Sequence, residues 1–338
     1  MDNTLTERFH DLFMGSQGAH GQTDVQGRKR SGKQEAKYQL VRAPLTIELV
    51  QKHLDGGLGV GSIPIDETNQ CFFGALDIDD YNLDLPALYA KVKRFKLPLV
   101  VCRSKSGGAH LYLFLSEKVA ASEVRDRLSE FASVLGWGNC EIFPKQEELL
   151  SERGDVGSFI NLPYQNQKYT TRYALKDGGD SLTLKEFLKV AEKSRLSSKQ
   201  LSKVKLGGSN EVLKDGPPCL QKLTEFGIPE GGRNMTLLNV GVYYKQFAPN
   251  DWKELLEKHN QDYCNPPIPA REVVLVQQQL EKKEYYYTCK QEPLHGHCNK
   301  SLCRSRKYGV GDSNTHVPVG GLTVVESEPP VWFVDVDG

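Results

Sequence analysis

Apolar and polar positions follow both strand and helix periods in the first half of the chain and the helix period alone in the second half. Up to residue 176, short apolar runs of strand length alternate with segments in which apolar residues recur at helical spacing. Helices are predicted to begin at the N-cap residue Thr46, at Asp84, and shortly before Val124. Strands are predicted on both sides of a polar turn at 66–69 and again at 99–103. Mixing the two periods in this order predicts an α+β fold.

From residue 217 the pattern is helical alone. Amphipathic helices are predicted at 218–226, 234–247, 251–260 and 270–284. The residues before them are rich in Lys and Arg, and residues 331–337 alternate like a strand. We therefore expect four parts: a mixed α/β domain at 1–176, a basic helical linker at 177–216, a helical domain at 217–320, and a further segment or returning strand at 321–338.

Residues 14–38 are rich in Gly, Gln, Ser and Lys, which predicts a mobile loop. The loop carries a small basic cluster formed by Arg28, Lys29, Arg30 and Lys33. Such a cluster is either a solvated tail or an arm that contacts phosphate.

The stretch at 71–80 is an apolar strand that ends in carboxylates. Because side chains alternate along a strand, Asp77 and Asp79 project to one side while Ile78 points into the core. Paired carboxylates suit hard cations such as Mg²⁺ or Mn²⁺. The alternative is an Asp-rich turn that caps the next helix.

A glycine hairpin follows, and its turn is crowded with polar residues. Glycines allow the backbone to turn, and exposed N–H groups backed by cations form a concavity suited to phosphate. The alternative is an ordinary hairpin with a polar tip. The candidate nucleotide-binding residues of this hairpin are Arg103, Lys105, Ser106, Gly107, Gly108 and His110.

A third acid, Glu141, lies on a short predicted strand among apolar residues, and Lys145 follows it. A buried carboxylate needs a cation, so Glu141 is predicted to complete the site of Asp77 and Asp79. The alternative is an edge-strand Glu that faces water. The segment at 157–164, which contains Asn161, closes this half of the chain.

Composition adds little to this picture. Lys plus Arg and Asp plus Glu both number 43, so any nucleic-acid surface must be a local patch. The chain has no apolar run of membrane-spanning length and no apolar signal core near its start, so we expect a cytoplasmic protein. In that reducing setting, the eight cysteines are better explained as thiols or metal ligands than as disulfides.

Cys219 follows two prolines, and Cys289, Cys298 and Cys303 cluster near the end of the helical domain. Four thiolates can close a tetrahedral zinc site or hold an iron–sulfur cluster. His295 and His297 are spare candidates, and the cysteines lack the C-x₂-C pairs of zinc ribbons.

Three motifs together carry a resemblance to a known family. Asp-Ile-Asp at 77–79, Ser-Gly-Gly-Ala-His at 106–110 and Glu-Ile-Phe-Pro-Lys at 141–145 resemble the catalytic core of archaeo-eukaryotic primases and primase-polymerases, of the type found in phages and mobile elements. The resemblance implies an RRM-like core beside an N-terminal α/β unit. It implies catalytic metal ligands at Asp77, Asp79 and Glu141, triphosphate contacts at Ser106 and His110, and a nucleotide pocket lined by Arg103, Lys105, Gly107, Gly108, Lys145 and Asn161.

The helical half resembles the C-terminal domain of the primase large subunit, on its Pro-Pro-Cys at 217–219 and its later cysteine trio. That resemblance implies a [4Fe–4S] cluster, with Zn²⁺ as the alternative, held by Cys219, Cys289, Cys298 and Cys303. It also implies nucleic-acid contacts at Arg233, Arg304 and Arg306.

The expected function is thus that of a DNA primase-polymerase that synthesises and extends primers in phage or mobile-element replication. Its expected partners are a single-stranded DNA template, NTPs or dNTPs, and a helicase, in the cytoplasm of a bacterial host and not at a membrane. The rival readings are a two-metal nuclease and a non-catalytic replication initiator. A second acidic alternation at Asp335 and Asp337 lacks a following Gly-Gly-x-His and carries little weight.

Overall fold

A computed structural model describes residues 3–28, 34–204, 212–310, 323–325 and 331–333. The chain divides into two compact units, Met1–Leu206 and Gly207–Gly338. No helix in the described ranges is both long and apolar enough to cross a membrane.

The first unit mixes helices and antiparallel strands, which confirms the α+β prediction. Its helices are α1 Asn3–Leu12, α2 Ile47–Asp55, α3 Leu85–Arg94, α4 Ala121–Leu135, α5 Leu184–Lys193 and α6 Ser198–Ser202. Its strands are β1 His20–Arg28, β2 Gln34–Val41, β3 Gly59–Ser62, β4 Gln70–Ile78, β5 Val100–Arg103, β6 Ala109–Ala120, β7 Glu141–Phe143 and β8 Ile160–Asn161.

The strands form two four-stranded sheets. One has the order β2-β1-β3-β8, and the other has the order β5-β6-β4-β7. The second sheet arises from the chain order β4-α3-β5-β6-α4-β7. This βαββαβ connection, with the first strand between the third and the fourth, is the RRM-like topology that the motifs implied.

Each face of the RRM-like sheet buries its own core. Leu76 and Ile78 of β4 face helices α3 and α4, where Leu88, Val92 and Leu128 are buried. Phe73 and Ala75 alternate to the opposite face. That face is covered by the N-terminal elements and α5, which contribute Phe9, Phe13, Val50, Leu54, Phe187 and Leu188.

The local signals at the helix ends are as predicted. The hydroxyl of Thr46 accepts the N–H of Leu49 at the start of α2, and Gly56 ends that helix with a left-handed backbone. The carboxylate of Asp84 accepts the N–H of Ala87 at the start of α3.

The prediction of a mobile loop at 14–38 is wrong, because β1 and β2 form an antiparallel hairpin from His20↔Val41 to Arg28↔Gln34. The buried positions of β1 include the polar residues His20 and Thr23, so the strand shows no apolar alternation in the sequence. The side chains of the basic cluster at 28–33 lie outside the described residues.

The first unit also extends past the predicted boundary at residue 176. Phe187 and Leu188 of α5 and Leu201 of α6 are fully buried in its cores. The basic side chains Lys185 and Lys189 lie exposed on the outer face of α5. The segment predicted as a linker therefore packs as part of the first unit, with its charges on the solvated face.

The second unit is mainly helical, as predicted. Its helices are α7 Pro218–Phe226, α8 Arg233–Phe247, α9 Trp252–Tyr263, α10 Ala270–Lys282 and α11 Lys300–Arg304. Its short strands are β9 Ile228–Pro229, β10 Cys264–Asn265, β11 Thr323–Val325 and β12 Val331–Phe333. The predicted final strand is thus β12, and it pairs antiparallel with β11.

Candidate active site and cysteine cluster

The acidic residues lie on one row of the RRM-like sheet. Asp77, near the end of the inner strand β4, is directly opposite His110 of β6 and Glu141 of β7. Residues directly opposite each other in antiparallel strands point to the same face, so these three side chains share one face. Asp79 lies two residues beyond Asp77 and belongs to the same face.

Asp77 is electrostatically unfavourable in its ionised form. Burial, followed by the charges of Asp79 and Glu141, raises its pKa from 3.8 to about 6, although Lys145 opposes the shift. A desolvated carboxylate beside two further acids is a donor set whose mutual repulsion a hard cation would relieve. The residues present therefore fit Mg²⁺ or Mn²⁺.

The three acids do not converge to single-ion distances. Among the described residues, no three His, Cys, Asp or Glu side chains are close enough together to hold one ion. The Glu141 carboxylate instead lies 2.8 Å from Nζ of Lys145, and its side chain is 59% exposed. The expectation that Glu141 is buried is therefore wrong, because β7 is an edge strand that leaves this side chain facing water.

His110 is held by a chain of hydrogen bonds. Its Nδ1 is 3.0 Å from the hydroxyl of Tyr112, which itself donates to the carbonyl oxygen of Asn161 at 3.0 Å. Since the hydroxyl has a single proton, Nδ1 must be the donor to Tyr112. Burial, followed by the charge of Arg172, lowers the pKa of His110 to about 4, so the imidazole is neutral. Its Nε2 then carries the lone pair and lies 3.4 Å from Oδ1 of Asp77.

The hairpin between β5 and β6 brings its polar residues to the carboxylates. The hydroxyl of Ser106 is 3.4 Å from Oδ1 of Asp79, and the hydroxyl of Tyr81 is 3.4 Å from Oδ2. Burial, with the charge of Arg172, lowers the pKa of Lys105. Arg103 donates to the carbonyl oxygen of Thr171 at 2.9 Å. The structure therefore brings Ser106 to the acids and directs Arg103 to the backbone of a neighbouring segment.

Gly108 permits this close approach of hairpin and strand. A Cβ at position 108 would overlap the carbonyl oxygen of Ile78. Gly107 has a φ of +105°, which side-chain-bearing residues rarely adopt.

We expect Gly108→Ala to push the hairpin away from the Asp77 strand. The overlap should lower the free energy of unfolding by about 1–3 kcal/mol and should reduce activity at least about tenfold, because Ser106 and His110 move with the hairpin. Denaturant melts and nucleotide-incorporation assays check both effects. Gly57→Ala is the matched control, since a Cβ there meets only ordinary contacts. Equal activity of the two variants would contradict the role given to Gly108.

Two residues beside the candidate site were missed by sequence reasoning. Tyr112 follows His110 by two positions on the same strand, so strand alternation could have placed them together. Arg172 is brought near His110 and Lys105 by a long-range pairing that no local pattern reveals.

In the second unit, the other three predicted cysteines lie near Cys219. The pKa of the buried Cys219 thiol is raised well above its usual value by burial and then by Cys303, Cys289 and Cys298. The sulfur of Cys303 accepts the backbone N–H of Val310 at 3.3 Å. His295 contacts the carbonyl oxygen of Cys289 through Nδ1 at 3.3 Å. Cysteines distant in the sequence thus share one neighbourhood.

The three arginines predicted to contact nucleic acid differ in their surroundings. Arg233 donates to the carbonyl oxygen of Pro266 and pairs with Glu230. Arg306 lies 3.7 Å from the carboxylate of Asp215. Arg304 is exposed on α11. The acidic pair Asp335 and Asp337 lies outside the described residues.

The RRM-like sheet, with its acidic row beside a polar glycine hairpin, is the arrangement that the three sequence motifs led us to expect. Residues 17–175 match the family model of the TOTE conflict system, Archaeo-Eukaryotic Primase domain. This part of the chain is therefore similar to archaeo-eukaryotic primase domains.

Two solved structures are similar to the chain. The crystal structure of primase RepB' is 10% identical, with a TM-score of 0.28, and the match covers 87% of this chain and 90% of that one. The catalytic domain of the same primase in complex with initiator DNA is 10% identical, with a TM-score of 0.27, over 59% of this chain and 95% of that one. No match was found among curated proteins.

Proposed function

We propose that the chain is a DNA primase-polymerase that joins nucleotides on a single-stranded template. The observation that supports this most is the row of Asp77, His110 and Glu141 beside the glycine hairpin. In this arrangement, carboxylates that can bind metal cations lie next to N–H, hydroxyl and cationic groups that can bind phosphate. A metal-bound nucleoside triphosphate has this same division of charge.

In this proposal Asp77, Asp79 and Glu141 would hold Mg²⁺ or Mn²⁺. When bound, such ions stabilise the charge that develops on the attacking and leaving oxygens of nucleotidyl transfer. The metal cation would replace Lys145 as the partner of the Glu141 carboxylate. The pKa of the partly buried Asp77 would then fall, because the repulsion from Asp79 and Glu141 is relieved.

Ser106 and His110 would bind the triphosphate. The Tyr112 hydroxyl fixes the ring of His110, so its Nε2 stays aimed at the substrate side. Phosphate charge raises the pKa of a nearby imidazole, so Nε2 would take up a proton and donate it in a hydrogen bond.

His110→Gln tests this role. A lost hydrogen bond to a charged group is worth about 1.5–3 kcal/mol, so the apparent KM for nucleotide should rise about 10- to 100-fold. Template affinity should not change. Steady-state kinetics and template-binding titrations measure the two effects. A loss confined to template affinity would remove the phosphate role, and a fall in kcat alone would assign His110 to general-base catalysis.

Incorporation of labelled nucleotide on single-stranded DNA tests the proposed function. Products that lengthen only with Mg²⁺ or Mn²⁺ present support it. Degradation of the template would indicate a nuclease, and binding without synthesis or degradation would indicate a non-catalytic initiator.

We also propose that Cys219, Cys289, Cys298 and Cys303 hold an iron–sulfur cluster. The thiols share one neighbourhood, yet no three described ligand groups are close enough for a single ion. Four thiolates brought together from distant segments are the ligand set that a [4Fe–4S] cluster takes. The N–H of Val310 at the Cys303 sulfur would stabilise a thiolate there.

A further inference from the structure

A segment far from the motifs extends the RRM-like sheet at its β5 edge. Residues 173–175 run antiparallel to β5, with Ala174 opposite Cys102. The N–H of Arg103 donates to the carbonyl oxygen of Tyr173, and the N–H of Leu175 donates to that of Val101, both at 2.9 Å. Continuing this register places Arg172 opposite Ser104.

Arg172 thereby joins a second row on the face of the acids. Ser104 is paired with Gly108 across the hairpin through a 2.8 Å backbone hydrogen bond. The register of β4 and β6 ends with Ile78 opposite Ala109, and its extension by one residue sets Asp79 opposite Gly108. The row of Arg172, Ser104, Gly108 and Asp79 therefore lies two residues beyond the row of Asp77 and His110, on the same face.

The backbone around Arg172 is firmly held. Its carbonyl oxygen accepts the N–H of Tyr164 at 2.7 Å, and its N–H donates to the hydroxyl of Thr170 at 3.0 Å. Arg103 fixes the preceding carbonyl, that of Thr171. Arg172 itself is only 6% exposed. Its charge is therefore held in place, close enough to act on both His110 and Lys105.

We propose that Arg172 binds the polyphosphate tail of the incoming nucleotide, with Arg103 as the positioning residue that holds its segment. This inference rests on the proposed function. The acids lie towards β7 and the cations Arg172 and Lys105 towards β5, so the site has a negative side and a positive side. A guanidinium forms bidentate hydrogen bonds with phosphate, and burial strengthens them. Arg172 is then the residue that distinguishes a nucleoside triphosphate from a monophosphate.

The test is direct titration of the full chain with a nucleoside triphosphate and with the matching monophosphate, each with Mg²⁺. Arg172→Gln should weaken triphosphate binding at least about 30-fold, within the range for a charged hydrogen-bonding pair. Monophosphate binding should change less than about threefold. Arg94→Gln, which removes an exposed arginine on α3, is the matched control and should bind both nucleotides as the unaltered protein does.

Arg172→Lys keeps the charge but loses the bidentate fork, and it decides the matter if Arg172→Gln does not fold. We expect about tenfold weaker triphosphate binding for this variant. Unchanged triphosphate binding in a folded variant, or an equal loss for both nucleotides, would overturn the inference. The titration needs no synthesis, so a chain that binds as expected but never extends a primer would refute the proposed function and leave Arg172 in place.

Discussion

Nucleotide incorporation should be lost when Asp77 and Asp79 are both replaced by Asn. Removing a single electrostatic contact to a transition state costs about 10²–10³-fold, so removal of both carboxylates should cost at least about 10³-fold. Asp126→Asn, an exposed change on α4, is the control and should retain full activity. Primer extension with Mg²⁺ and with Mn²⁺ measures the loss.

The same double variant should be more stable than the unaltered protein when metal is absent. Asp77 has a folded pKa of about 6 against 3.8 ordinarily, so its ionisation opposes folding. The penalty is absent below about pH 4, grows as the pH rises, and reaches about 3 kcal/mol at neutral pH. Thermal melts in chelator should show a higher midpoint for the variant at pH 7.5 and little difference at pH 4. A variant less stable at both pH values would contradict the electrostatic account.

The second large effect is expected in the helical unit. Cys219→Ser should remove the bound metal and destabilise this unit by about 3 kcal/mol or more, a fraction of the ~10–16 kcal/mol with which structural zinc binds small domains. The proposed cluster would join α7 to α11, which are far apart in the sequence, so its loss would restore much chain entropy. Cys264→Ser is the control, because Cys264 is buried in the same unit but does not interact with the other four thiols.

Iron, sulfide and zinc analysis of anaerobically purified protein identifies the group. Four iron and matching sulfide per chain support the cluster. One zinc per chain would mean that the four cysteines still link the distant segments but bind zinc instead of a cluster. A folded second unit with neither metal would refute the site.

Local rules predicted the RRM-like half well. The caps at Thr46 and Asp84 and the strand at 71–80 depend on neighbouring residues only, so the sequence reveals them. The opposition of Asp77 to Glu141 was accessible through strand alternation and the family motifs.

The remaining features depend on contacts between distant segments. The strand β1 buries the polar residues His20 and Thr23, so its sequence lacks apolar alternation and resembles that of a loop. Phe187 and Leu201 are buried in the first unit, although the many lysines around them give their segment the composition of a linker. Arg172 reaches the site because Ala174 pairs with Cys102, and neither residue carries a signal for that pairing.

The central claim is that the Asp77 site joins nucleotides under the direction of a template. The most direct measurement supplies the full chain with a primed single-stranded template, Mn²⁺ and each nucleotide singly, and follows primer lengthening together with pyrophosphate release. The account predicts one pyrophosphate per nucleotide added, addition of the complementary nucleotide only, and no product from the Asp77→Asn/Asp79→Asn variant. Addition that ignores the template base, or synthesis that survives the loss of both carboxylates, would contradict it.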